Sequence, residues 1–271
     1  MHDSFQYYES SLMSHGSLQN IMGTRFDIVI VKKNKAASET VWYKITEELK
    51  RLDKMLNRFD PESEITFINL HAYQRPIVPS PELWDILCDC EVYHRKTAGL
   101  FDITLKDFSK VVLNKNEQLV SFLLPDLSLD LGAYAKGYAL QQIHAILKDA
   151  EVEQAFVDFG NSSILAIGHH PYGNSWKVSI ENPYRSGEVL GEIDLTDTFL
   201  STSGNVPSYS KHIIRPDSGL YNDERKLVCV MAENPVRAEV LSTTLMIATP
   251  EEKEEILKQF DVDNIRTYNS L

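Results

Sequence analysis

The chain has 271 residues, 43% apolar and 24% charged, enough for one large packed domain or two small ones. A formal net charge of −12 argues against wrapping nucleic acid, which needs clustered Lys and Arg. No stretch is long and apolar enough to cross a membrane, and the three cysteines include no C-x-x-C pair of a zinc or redox motif.

Residues 1–20 are polar and aperiodic and predict a flexible N-terminal arm, with a single domain over 21–271. The arm lacks the basic start and apolar run of a signal peptide. With Met1 as the natural start the protein is expected in the cytoplasm; an exported protein stripped of its signal would read the same way. Residues 25–32 alternate like a strand. Val41, Ile45, Leu49, Leu52 and Leu56 form the inner stripe of a helix over 37–57. A turn at 57–61 leads to a short helix that Ser63 and Thr66 open and that ends near Asn69. Pro79 and Pro81 precede a helix over 82–97, closed by Gly99. Cys88 and Cys90 fall within it and Cys229 in an apolar strand, all read as buried thiols of a reducing compartment.

Strands are predicted at 117–123 and 127–131, and a helix at 133–149. A strand-rich half follows, at 154–159, 162–168, 175–181, 188–195, 198–202, 209–214 and 226–232. Helices at 235–248 and 250–259 and a strand near 264–268 close the chain. Strands and helices come in unequal runs, which predicts an α+β fold of one compact domain with at most two lobes.

Four stretches carry candidate chemistry, each with a plainer alternative. Asp130-Leu131-Gly132-Ala133 leads into a helix whose first turns hold Lys136 and Gly137. Free N–H groups, the helix dipole and a lysine suit an anion, but Gly137 serves equally for packing and Lys136 for solvation. Glu239 and Thr243 are four apart, on one helix face. They form an all-oxygen pair for Mg²⁺, or else an exposed acid and a threonine bonded back to its helix. His212 near a strand end is a general base or a structural histidine. Ser201 to Asn205 is a phosphate cradle or a simple turn.

Taken in order, these pieces resemble one family. The stretches M-G-T (22–24), N-R-F-D-P-E-S-E-I…N (57–69), G-L-F-D-I-T (99–104), D-L-G-A-Y-A-K-G-Y-A (130–139), V-D-F-G-N (157–161), T-S-G-N (202–205), H-I-I-R-P-D-S-G (212–219) and A-E-V-L-S-T (238–243) resemble the ApbE family of FAD:protein FMN transferases. The resemblance implies an ApbE-like, T-fold-like α+β fold of mixed and antiparallel sheets, with a flavin site between lobes. It implies FAD as substrate, with Met22 and Phe59 packing on flavin or adenine, and Leu100, Phe101 and Asp102 lining the nucleotide pocket. Asp130 and Lys136 would contact FAD, and Ile214 its ring. Mg²⁺ would be held by the Ala133 carbonyl, Glu239 and Thr243. His212 would help deprotonate a Ser or Thr hydroxyl of the acceptor protein, which receives FMN as AMP leaves.

This chain departs from the family pattern at several places. Glu239 stands where the family usually has Asp, Arg215 where it has an acid or amide, and Gly160-Asn161-Ser162 where it has Gly-Gly-Asp/Asn. The lipid-attachment cysteine of many members is also missing from the sequence. These departures motivate two alternatives to transfer, an FAD-binding carrier or sensor, and an FAD pyrophosphatase giving FMN and AMP.

Overall fold

The computed structural model describes residues 3–207 and 212–271. Its centre is an eight-stranded antiparallel sheet in the order β1-β2-β3-β6-β7-β10-β13-β14. These strands are β1 (Asp3–Tyr8), β2 (Met13–Ile21), β3 (Thr24–Val31), β6 (Ala155–Phe159), β7 (Ser163–Ile167), β10 (Thr198–Gly204), β13 (Leu227–Ala232) and β14 (Asn264–Tyr268). Among the described residues there are also three two-stranded ribbons: β4 (Val111–Asn114) with β5 (Leu119–Phe122), β8 (Trp176–Glu181) with β9 (Val189–Leu195), and β11 (Ile214–Arg215) with β12 (Leu220–Tyr221). The described residues form six α-helices: α1 (Lys35–Leu56), α2 (Glu64–His71), α3 (Pro81–Lys96), α4 (Ala135–Asp149), α5 (Pro235–Ile247) and α6 (Pro250–Leu257).

Strand alternation sorts side chains to two faces. On one face Phe26, Ile28, Ile30, Val157 and Phe159 pack into the main core with the inner stripe of α1, with α3 and with α4. On the other, Val31, Ile164, Ala166, Leu200 and Cys229 pack against Trp176, Ile180 and Ile193 of the β8–β9 ribbon. A third cluster joins Val228 and Val230 to α5, α6, Leu100 and Ile213. The expected α+β class is therefore present.

Five of the six helices begin at a residue whose side chain accepts a backbone N–H: Asn34, Ser63, Ser80, Asn234 and Thr249. Proline follows the cap in α3, α5 and α6, where its missing N–H costs nothing. The sixth, α4, begins at Tyr134 with no side-chain cap.

Two expectations are corrected. Residues 3–21 are two paired strands, not a flexible arm. Phe5 stacks on Trp42 at 6.1 Å, the Trp42 indole N–H donates to Asp3 at 3.1 Å, and Leu18 and Ile21 are fully buried. The pattern is hard to read because small Ser14 and Gly16 fill inward positions; a Cβ at Gly16 would lie 2.5 Å from the Trp42 ring. Residues 127–131 form no ladder strand. Leu129 is held instead by the Asn69 side chain, which accepts its N–H at 2.7 Å and donates to its carbonyl at 3.0 Å, while the Asp130 N–H bonds to the Ile103 carbonyl. Of the strand expected at 209–214, residues 209–211 lie outside the described residues and Ile214 opens β11. The short β4 had no counterpart in the sequence reading.

Candidate active site

Helices α4 and α5 approach closely at Gly137. A Cβ there would meet the Pro235 carbonyl oxygen at 2.7 Å, the Val236 Cα at 2.9 Å and the Glu239 Cβ at 3.0 Å. The packing reading of Gly137 is therefore correct, and its consequence is chemical. The close approach sets Lys136, one residue earlier on α4, against Glu239 on α5.

Glu239 is only 4% exposed, so its charge needs partners. The Lys136 ammonium donates to Oε1. Oε2 accepts from the Ser163 hydroxyl at 2.6 Å and the Ser201 hydroxyl at 2.9 Å. Hydroxyls continue from Ser201 to Ser242 (2.9 Å), from Ser242 to Ser203 (2.8 Å), and from Ser203 to Thr243 (3.1 Å). Ser201 and Ser203 project together because side chains two apart on β10 share a face. The bland reading of Glu239 as an exposed acid is thereby excluded.

A buried carboxylate and a threonine hydroxyl four residues apart on α5 suit a hard cation, and Ala133 lies two residues before the start of α4. Two serines pin Glu239 Oε2 and leave Oε1 facing Lys136. The residues present fit Mg²⁺, with one feature of their own: Lys136 already supplies a cation at Oε1.

A second group assembles around Arg58. Its guanidinium lies 4.4 Å above the Phe59 ring and its Nε bonds Asp130 Oδ2 at 2.9 Å. Asp130 Oδ1 accepts the Gly132 N–H at 2.9 Å, closing the turn that leads to Ala133 and α4. Phe59 is 79% exposed, an apolar ring presented to solvent. Met22 and Gly23 form the two-residue β2–β3 turn, both at positive φ (47° and 77°), the geometry of a tight hairpin. The Met22 N–H is held by the Asp53 carboxylate, whose pKa burial pushes up.

Other expected residues turn inward. Leu100 and Phe101 are buried, the first beside α5 and the second in the main core, edge-on to Tyr93 at 6.0 Å. Asp102 is buried, and both its oxygens are engaged. Oδ1 accepts from the Thr104 N–H (2.7 Å) and hydroxyl (2.6 Å), and Oδ2 from the Phe108 N–H (2.9 Å). In this structure the carboxylate builds the 102–108 loop.

His212 and Ile214 are half-buried, with buried Ile213 between them. Arg215 fastens this segment to the α5–α6 junction. It donates to the Ile247 carbonyl at 2.7 Å and to both Glu252 oxygens at 3.0 and 2.6 Å, with Asp217 at 3.0 Å on Nε. The Ile247 carbonyl belongs to the last turn of α5 and lacks a helical partner. Arg215 is thus spent on the scaffold.

A groove of about 770 Å³ between α1, α2 and the start of α3 is a different place. Ion pairs Arg51–Glu82 and Lys54–Glu62 border it, and it includes none of the expected site residues. The sequence reading missed Arg58, Ser163 and Ser242. The two-residue period of β10 places Ser201 and Ser203 on one face, but nothing local singles out Ser163.

Comparison with known proteins agrees with this architecture. The ApbE family model matches residues 22–118 and 105–265. The chain belongs to the ApbE family. A relative named FAD:protein FMN transferase from Klebsiella pneumoniae is 22% identical over 88% of this chain and 79% of its own length. One of the same name from Chlamydia muridarum is 26% identical over 74% of each chain. The solved structure of the flavin transferase ApbE from Vibrio cholerae superposes with a TM-score of 0.82 at 21% identity, covering 96% of this chain and 97% of that one. No helix among the described residues is long and apolar enough to cross a membrane.

Proposed function

We infer that this ApbE-family chain is a flavin transferase that moves FMN from FAD to a Ser or Thr hydroxyl of an acceptor protein and releases AMP. The observation that carries this reading is the buried Glu239 held by Lys136 and a run of hydroxyls at the α4–α5 junction. Support for the substrate comes from the names of the relatives.

In the proposed reaction the acceptor oxygen attacks the phosphorus on the riboflavin side of the FAD diphosphate. The bond from that phosphorus to the bridging oxygen breaks, and the bridging oxygen leaves with AMP. His212 takes the proton of the acceptor hydroxyl. Phe59 packs an aromatic face of FAD, with Met22 beside it and Ile214 against the ring. Asp130 and Lys136 orient the nucleotide, and Leu100, Phe101 and the 102–108 loop that Asp102 builds shape its pocket. Ala133, Glu239 and Thr243 would hold Mg²⁺, which when bound supplies charge neutralisation at the diphosphate. The three cysteines are free and two are buried, which suits a reducing compartment, and we place the protein in the cytoplasm.

Arg215 gives no ground for preferring an inert flavin binder, because its guanidinium is engaged by Glu252, Asp217 and Ile247. The test is to incubate the protein with FAD and Mg²⁺, with and without a small flavin-acceptor domain, quantifying nucleotides by chromatography and weighing the acceptor. Transfer yields an acceptor heavier by one FMN with matching AMP, and Thr243→Ala abolishes turnover while retaining FAD binding. AMP without acceptor would mean hydrolysis. Intact FAD with every acceptor would overturn the reading in favour of a carrier.

A further inference from the structure

Glu239 is held asymmetrically. Oε2 faces two hydroxyls from two strands, Ser163 of β7 and Ser201 of β10, while Oε1 faces one ammonium, Lys136 of α4. Serine hydroxyls are neutral and cannot compensate the charge of a carboxylate this deeply buried. Lys136 does, and it does so at the oxygen that a metal would approach. Its own side chain is only about one-fifth exposed (21%), and it lies in the first turn of a helix that has no side-chain cap.

Resting on the function proposed above, we propose that Lys136 is a built-in surrogate for the metal and regulates its entry. Without nucleotide the ammonium neutralises Glu239 and competes with a divalent cation for Oε1. A bound diphosphate offers Lys136 a second anionic partner at the uncapped N-terminal end of α4. The lysine turns outward to it, and Oε1 becomes free for the cation. Metal and nucleotide therefore load cooperatively, and by linkage each strengthens the other. The serines are positioning residues: they fix Oε2 so that the departure of Lys136 does not let the longer glutamate arm swing away.

Simple charge bridging by metal and diphosphate would also produce cooperativity, so the decisive measurement is made without nucleotide. Mg²⁺ binding is measured by calorimetry on the apo protein and on Lys136→Met and Lys136→Gln, with circular dichroism to verify folding. Removing the competing ammonium leaves the buried carboxylate short of a cation, so apo Mg²⁺ affinity rises about tenfold or more in either variant. The gap between Mg²⁺ affinity with and without FAD narrows accordingly. Glu239→Gln eliminates the gain in the double variant. If both folded Lys136 variants bind Mg²⁺ no tighter than the parent while the parent binds it with FAD present, competition is refuted and the metal site stands. If parent and variants all fail to bind Mg²⁺ even with FAD, the metal-dependent reading itself falls, and this inference with it.

Discussion

Gly137→Ala separates the local preference of a helix from its tertiary context. In an isolated helix the change stabilises by roughly 0.5–1 kcal/mol, because alanine loses less backbone entropy than glycine. Here the added methyl would sit 2.7 Å from the Pro235 carbonyl oxygen and 2.9 Å from the Val236 Cα, both backbone atoms of a buried helix start. No side-chain rotation relieves those contacts, so α4 and α5 must separate by several tenths of an ångström. Overpacking of this kind costs about 1–3 kcal/mol, leaving a net loss centred on about 1 kcal/mol and at most about 2.5 kcal/mol after the helix gain. For a chain of this size the midpoint of thermal unfolding should fall by about 2 °C, and by at most about 5 °C. The third contact, Glu239 Cβ at 3.0 Å, carries the displacement into the candidate site. FMN transfer should therefore fall at temperatures where the variant remains folded. Scanning calorimetry and the transfer assay test both halves. An unchanged or raised midpoint with full turnover would refute the argument that this glycine exists for the α4–α5 approach.

Arg215→Ala removes the ties to Ile247, Glu252 and Asp217 and should destabilise by about 1–3 kcal/mol at neutral pH, measured by urea unfolding. Its hydrogen bonds hold the Glu252 carboxyl below the usual glutamate pKa. That contribution is complete above the unfolded pKa and is lost as pH falls through the lower folded one, so wild type and variant should converge in acid. Phe59→Ala should leave stability within about 0.5 kcal/mol, since the ring is exposed, yet weaken FAD binding about 2- to 10-fold in a flavin fluorescence titration. Asp102→Ala strands the N–H groups of Thr104 and Phe108 and should cost about 2–4 kcal/mol in chemical denaturation. A stable Asp102→Ala with lost FAD binding would instead make that carboxylate a ligand.

The helices were the most legible elements. The expected ranges of α3, α5 and α6 fall within about two residues of the observed ones, and each start carries a cap and a following proline that lie next to one another along the chain. Strands β6 to β10 were legible for the same reason, through alternation and turn residues. β1 and β2 were not, because Gly16 serves Trp42, a residue of α1 across the core, and so looks like a gap in the pattern. Residues 127–131 read as a strand because their alternation is real, but their partner is the Asn69 side chain rather than another strand.

The sequence by itself determined the family and the fold class, since ordered motifs survive in one dimension, and it proposed Lys136, Glu239 and Thr243 as site residues. It could not decide between Gly137 as a ligand cradle and as a packing residue, nor assign Arg215. Those answers depend on which backbone lies across from each residue. Only the tertiary structure brought Lys136 to Glu239, 103 positions away, and Ser163 to the same carboxylate from 76. The physical reason is that a buried charge must find its partners in space, and the chain can supply them from any strand or helix that reaches it.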